Sequence, residues 1–345
     1  MARTATARTL KKPLTQTKPD VPEELITPHD RAEIQAAIQS GARPVIAVAQ
    51  RKGGSGKTTC TRTLCELSAI PQGYGLPTLA IDFDSQCSLS KLYLKMETED
   101  TDDATTRPPI HPDYDASEEG ADWNGRSSSA DIFYKNGAVA PYRVSRIEGI
   151  GQLDILPGDV QKLIEIEEHD RTYLAERVQN RLREWLAQPD VRAAYPLVVI
   201  DTAPSDHPLT RAALRAATHL LIPCIPEQQG TDGLQEMLSM WRKENSRRTE
   251  DDALQIIAIQ PNLVMNDSVH GGIMETLKTN PAFAPYLSPI EIKRRTAIAE
   301  RDVRGLKPGS IFHMRPNQQP LRMMLEFGRF ALRRAYLNED GRRGR

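Results

Sequence analysis

Six short apolar runs punctuate the chain: Val45–Ala49, Pro77–Phe83, Leu153–Leu156, Tyr195–Ile200, His219–Pro223 and Gln255–Gln260. They are mostly Val, Ile, Leu and Ala and do not alternate with polar residues, the pattern of strands buried on both faces. Ile290–Ile292 predicts a further edge strand. Other segments repeat at helical spacing. Asp159–Gln188 places Ile164, Leu174, Val178, Leu182 and Trp185 among its apolar positions, and Leu321–Leu332 is amphipathic with an arginine-rich outer face. Thr27-Pro28 reads as an N-cap followed by proline at the first helical position. Ile34, Ala37 and Ile38 give that helix a short apolar face, and Gly41 ends it. It could dock on the core or on a second subunit.

Length suits one large α/β domain with appendages, or two small ones. With 45 basic and 46 acidic residues, the net charge of −1 excludes nothing about partners. Its distribution says more. Residues 1–26 read as a disordered basic tail and 27–43 as the N-terminal helix, with the main domain at 44–337 and a polar, arginine-rich tail at 338–345. Within the domain, 97–127 is an acidic insertion. Glu97, Glu99, Asp100, Asp102 and Asp103 open it, and Asp113, Asp115, Glu118, Glu119 and Asp122 continue it, broken by Pro108, Pro109 and Pro112. That composition predicts a mobile surface loop, with Tyr114 and Trp123 as its anchors. Cys60, Cys65, Cys87 and Cys224 form no C-x-x-C pair, and no apolar run reaches eighteen residues. The expectation is a reduced, cytoplasmic protein without stable membrane insertion.

The candidate chemistry centres on Val45–Thr61. An apolar strand runs into Lys52-Gly53-Gly54-Ser55-Gly56-Lys57-Thr58-Thr59, and a helix-compatible run through Leu64 and Leu67 follows. Strand, glycine-rich turn, Lys-Thr and helix make a phosphate-binding loop, in which backbone N–H groups and the helix N-terminus face one anion. Lys57 is placed to reach the β- and γ-phosphates and Thr58 to ligate Mg²⁺. Arg51 stands where the generic pattern has its first glycine, and an extra lysine, Lys52, opens the loop. A second strand delivers Asp82-Phe83-Asp84-Ser85-Gln86, and a third delivers Asp201-Thr202-Ala203-Pro204. Asp82 and Asp84 are expected on opposite faces and in separate roles. Asp201 is placed to hold Mg²⁺.

These boxes resemble the deviant Walker A class of P-loop ATPases, the ParA/MinD class, over roughly Pro44 to Leu337. Ser85 replaces the proline of that family's D-x-D-P-Q box. The resemblance implies an α/β three-layer P-loop NTPase fold with a mainly parallel central sheet and helices on both faces. It implies ATP and Mg²⁺ as cofactors, with Lys52 reaching across a homodimer to the partner's nucleotide. It also implies Asp84 beside the γ-phosphate and Mg²⁺ orienting the attacking water, and the segments of Pro226 and Asn262 near adenine. Its leading function is a DNA segregation ATPase: ATP closes a dimer, the dimer binds DNA non-specifically on the nucleoid, and a centromere-binding adaptor stimulates hydrolysis. The candidate DNA contacts are Lys293, Arg294, Arg301, Arg304, Arg322 and Arg329. Other branches fit less well. A MinD-like spatial regulator uses a C-terminal membrane helix, whereas this chain continues into a polar tail. Cluster cysteines and a tyrosine-rich tail are absent, and a non-hydrolysing scaffold remains the reading outside the enzymes.

Overall fold

A computed structural model describes residues 24–98, 105–115, 117, 123–134, 137, 139–168, 172–300, 309–314 and 318–338. Arg301, Arg304, most of the two terminal tails and the acidic positions 99–103, 118, 119 and 122 lie outside the described residues. The strands in chain order are β1 (Val45–Val48), β2 (Thr78–Phe83), β3 (Glu97–Thr98), β4 (Thr106–Arg107), β5 (Tyr142–Arg143), β6 (Leu153–Leu156), β7 (Leu197–Thr202), β8 (His219–Cys224) and β9 (Gln255–Pro261). The helices are α1 (Pro28–Gln39), α2 (Lys57–Ala69), α3 (Ser88–Tyr93), α4 (Val160–Glu168), α5 (Thr172–Leu186), α6 (Pro189–Ala194), α7 (Pro208–Ala216), α8 (Gln228–Asn245), α9 (Ser268–Thr279), α10 (Thr296–Glu300) and α11 (Gln319–Leu337).

Seven strands form one sheet in the order β5-β6-β2-β7-β1-β8-β9. All neighbours are parallel except the β5–β6 edge pair. β7 shows why its sequence is apolar throughout. Leu197 and Val199 enter the core under α2 and α11, while Val198 and Ile200 enter the core under α4, α5, α7 and α8. A strand buried on both faces leaves no position for a polar residue until its end, where Asp201 and Thr202 stand.

α1 docks on the core, where Ile34 is fully buried. The Thr27 hydroxyl accepts the Asp30 N–H at 3.1 Å, and Gly41 takes φ +98° beyond the helix end. Asp30 ties α1 to α11 through Arg329 and Arg333, each at 2.5 Å. Burial works against the Asp30 charge, but the Thr27 hydroxyl and the two arginines outweigh it and hold the carboxyl below its usual range. α11 lays Leu321, Met324, Phe327 and Ala331 against the α2 side of the sheet, so its apolar face is occupied. No described helix is long and apolar enough to cross a membrane.

Two expectations need correcting. The helical period of 159–188 is carried by two helices, α4 and α5, with 169–171 between them outside the described residues. Ile290–Ile292 forms no strand. Only isolated bridges, Ile259 to Leu287 and Val264 to Lys293, flank it. Pro289 has no N–H to extend a ladder, and the Gln260 amide takes the Ile290 carbonyl at 2.7 Å instead. The described part of the acidic insertion is anchored. β3 and β4 pair as a small antiparallel hairpin. Trp123 stacks edge-on with Tyr114 and donates to the Arg126 carbonyl at 2.7 Å, and Arg126 bonds Glu97 at 2.7 Å.

Candidate functional site

β1 sits between β7 and β8, and the loop leaving it turns directly into α2. The turn needs glycine at two places: Gly54 has φ +73° and Gly56 φ +86°. Gly56 is also hemmed in, since a Cβ there would fall 1.9 Å from Asn262 Nδ2. Asn262 is buried; its Nδ2 donates to the Ser55 carbonyl at 2.8 Å and its Oδ1 accepts the Leu263 N–H at 2.9 Å. Gly53 and Gly54 face open space on their Cβ side. The loop is therefore braced from below by β9 and open above, a cradle for an anion at the start of α2. The Ser55 hydroxyl is buried without a partner among the described residues.

Lys57 is buried at the floor of this cradle. Desolvation lowers its pKa, opposed by the charges of Asp201 and Asp84. Thr58 Oγ1 donates to Asp201 Oδ2 at 2.7 Å, and Thr61 Oγ1 to Asp201 Oδ1 at 3.3 Å. Val48 and Asp82 flank Asp201 in register on either side. Burial pushes the Asp201 carboxyl well up, and the nearby Asp82 and Asp84 push it further. Asp84 and Asp201, the hydroxyls of Thr58 and Thr61 and the Lys57 ammonium thus lie at the C-terminal edge of the sheet, where open parallel sheets collect ligands, and among the described residues no three carboxylate, His or Cys side chains group to hold a metal by themselves. An oxygen-rich, anionic donor set of this kind suits a hard divalent cation, and the unpartnered loop hydroxyl and open N–H cradle suit phosphate.

Asp82 and Asp84 do not lie on opposite faces. Strand faces alternate at each residue, so positions two apart share a face, and both charges act on Asp201. Their roles still separate. Asp82 is fully buried and accepts from Ser90 Oγ at 2.6 Å, the Ser90 N–H at 2.9 Å and the Asp84 N–H at 3.1 Å. It therefore fixes the turn into α3. Asp84 lies past the end of β2, and its Oδ1 accepts the Gln86 N–H at 2.9 Å.

Lys52 Nζ bonds Glu227 Oε2 at 2.8 Å, at the N-cap of α8. Pro226, just before it, is buried. Arg51 pairs with Glu236 at 3.2 Å on the same helix. Asn262 is enclosed, and both ends of its amide serve the chain. Glu227 and the Asn262 brace were not predicted from sequence. No motif marks them, because each acts on residues 175 and 207 positions away; the one available signal is that both follow an apolar run.

Among the candidate DNA contacts, Lys293 is half-buried while Arg294 and Arg322 are exposed. Arg294 lies near enough to Glu227 to lower its pKa, after the larger effect of Lys52. Arg329 is corrected: its guanidinium is engaged by Asp30.

The family model described as an AAA domain, AAA_31, matches residues 43–256. A Rhizobium rhizogenes relative bearing the name replication protein A is 32% identical over 202 residues, 57% of this chain and 43% of its own length. A ParA family protein of Chlamydia muridarum is 30% identical over 204 residues, 59% of this chain and 66% of its own. The chain spans about half the length of the first curated relatives it matches, 43% and 48%. Among solved structures, apo McdA of Cyanothece superposes with a TM-score of 0.61 at 20% identity, covering 84% of this chain and 99% of that one. A Borrelia burgdorferi protein described as a plasmid partition protein, bound to AMPPNP, gives 0.59 at 19%, covering 86% and 99%. Cobyrinic acid a,c-diamide synthase of Mycobacterium smegmatis, with ADP and magnesium, gives 0.56 at 19%, covering 85% and 95%. These three likenesses speak to the fold alone. The match over 43–256 takes in β1, β2 and β7 with the residues they present. The chain belongs to the AAA_31 family of AAA domains.

Proposed function

We propose that the chain is an ATP-dependent DNA segregation ATPase. The observation that carries this reading is the cluster of Lys57, Thr58, Asp84 and Asp201 around the open glycine cradle, with a second lysine, Lys52, at its rim. The cradle N–H groups and Lys57 hold the phosphates of ATP. Bound beside Thr58 and Asp201, Mg²⁺ supplies positive charge to the phosphate oxygens. Asp84 orients a water against the γ-phosphorus; the P–O bond to ADP breaks as the new P–O bond forms, and phosphate and ADP leave. Positioning dominates such a reaction.

Lys52 has no task in a loop already served by Lys57. In the dimer reading it exchanges Glu227 for the nucleotide of a second copy. Lys293, Arg294 and Arg322 then form a doubled basic surface for DNA phosphates, and an adaptor bound to a centromere-like site accelerates turnover. AMPPNP and ADP–magnesium in the fold neighbours support the choice of nucleotide and metal.

The test compares Lys57→Ala with Lys52→Ala, using ATP binding by calorimetry and dimerisation by light scattering. Lys57→Ala loses nucleotide binding. Lys52→Ala keeps most of it and loses the ATP-dependent dimer. A Lys52→Ala protein that dimerises like wild type sinks the proposal.

A further inference from the structure

α5, α7 and α8 border a hollow of about 80 Å³. Lys243 of α8 and Arg247, just past the end of that helix, line it with Arg211 of α7, Gln179 of α5 and the carboxylates of Asp206 and Glu244. Arg211 is bonded to Asp206 at 2.9 Å. Beneath it, Glu244 is already neutralised twice, by Arg215 at 3.0 Å and Arg248 at 2.9 Å. Arg248 is itself fixed, donating to the carbonyls of Leu214, Arg215 and Ala217 at the end of α7. Three cationic side chains and two carboxylates thus line the hollow, and Arg215 and Arg248 add two further charges at Glu244. Among the described residues neither Lys243 nor Arg247 has a carboxylate partner. Gln179 is only 7% exposed, and its amide has no hydrogen-bond partner among the described residues. That amide lines the hollow.

We propose that the hollow is a binding site for a small tetrahedral oxyanion, a phosphate or phosphate monoester, held by Lys243, Arg247 and the Gln179 amide. The three groups line one space of molecular size. That concavity favours a compact anion over the edge of a duplex, which would lie across the exposed cations without reaching Gln179. Asp206 belongs to the loop that follows Asp201 on β7, so the site abuts the segment that leaves the nucleotide cradle.

The probe is inorganic phosphate, titrated into the full chain by phosphorus NMR line broadening with the P-loop filled by saturating AMPPNP. Wild type shows saturable broadening. Lys243→Ala/Arg247→Ala weakens it by at least about tenfold, as the loss of charged hydrogen bonds requires, with AMPPNP affinity unchanged as the control for folding. Gln179→Leu weakens it several-fold. Equal phosphate binding in wild type and the double variant overturns the site, as does an absence of saturable binding in wild type. Displacement of phosphate by either of two unrelated DNA duplexes reassigns the hollow to a polynucleotide backbone and overturns the small-anion reading. The test also stands if the P-loop does not take AMPPNP. Phosphate held in the P-loop is then lost in Lys57→Ala and kept in the double variant, the reverse of the pattern expected here.

Discussion

Asp84 and Asp82 are two residues apart and differ in what surrounds them. Asp82 is enclosed by Ser90 and the Asp84 backbone, whereas Asp84 lies just past the end of β2, with its charge acting on Lys57 and Asp201. Asp84→Ala should therefore lower kcat while leaving ATP affinity close to wild type, the mark of an interaction made in the transition state. Steady-state turnover with adaptor, against AMPPNP binding, checks it; unchanged stimulated turnover removes the role. His219 offers a separate residue-scale test. It is buried on β8, with Nδ1 2.8 Å from Thr218 Oγ1 and Nε2 unpartnered. Burial lowers its pKa from 6.5 to about 4. Between those values the unfolded chain binds a proton that the folded chain refuses, so stability is full above about pH 6.5 and falls as pH drops toward 4. From about pH 7 to about pH 5 the loss should be about 2 kcal/mol. Urea midpoints at both pH values measure it, and His219→Asn should flatten the difference.

At the scale of elements, the fold was legible where one signal sufficed. The apolar runs became β1, β2, β6, β7, β8 and β9 because a strand buried on both faces must be apolar end to end. The Lys-Thr box sits at the start of α2 because only glycine allows the turn before it. Elements whose form depends on distant partners were not legible. Pro289 and the Gln260 amide replaced an edge strand by two bridges. The basic face of α11 read as solvent-exposed or DNA-facing, but Asp30 from α1 holds Arg329 and Arg333 across some three hundred residues. α11 gives the prediction at this scale. Phe327 is fully buried against the α2 side of the sheet, so Phe327→Ala should cost about 3–5 kcal/mol, read from the urea midpoint. A cost near zero would mean that this face is not packed.

For the whole molecule, the candidate DNA contacts that remain exposed or half-exposed among the described residues, apart from the Arg329 held by Asp30, are Lys293, Arg294 and Arg322, and Arg294 feels the same Glu227 that binds Lys52. The proposed dimer would double them. If roughly six phosphates are neutralised, log K should fall with log salt at a slope of about −5, alike on two unrelated duplexes and only with ATP. Fluorescence anisotropy with ATP and with ADP measures this. Arg294→Glu/Arg322→Glu should weaken both duplexes equally; a strong sequence preference would count against phosphate-only binding. The Asn262 brace has a consequence of another kind. The cradle at residues 52–58 is propped by a side chain 207 positions later, and Asp201, 143 positions away, completes its polar floor. Such long loops close late, after local structure has formed. The chain therefore cannot hold nucleotide in its working shape until β9 has joined the sheet. A ligand that binds only this finished state stabilises the entire fold by mass action, so ATP acts as an inspector of completed folding before it acts as a fuel.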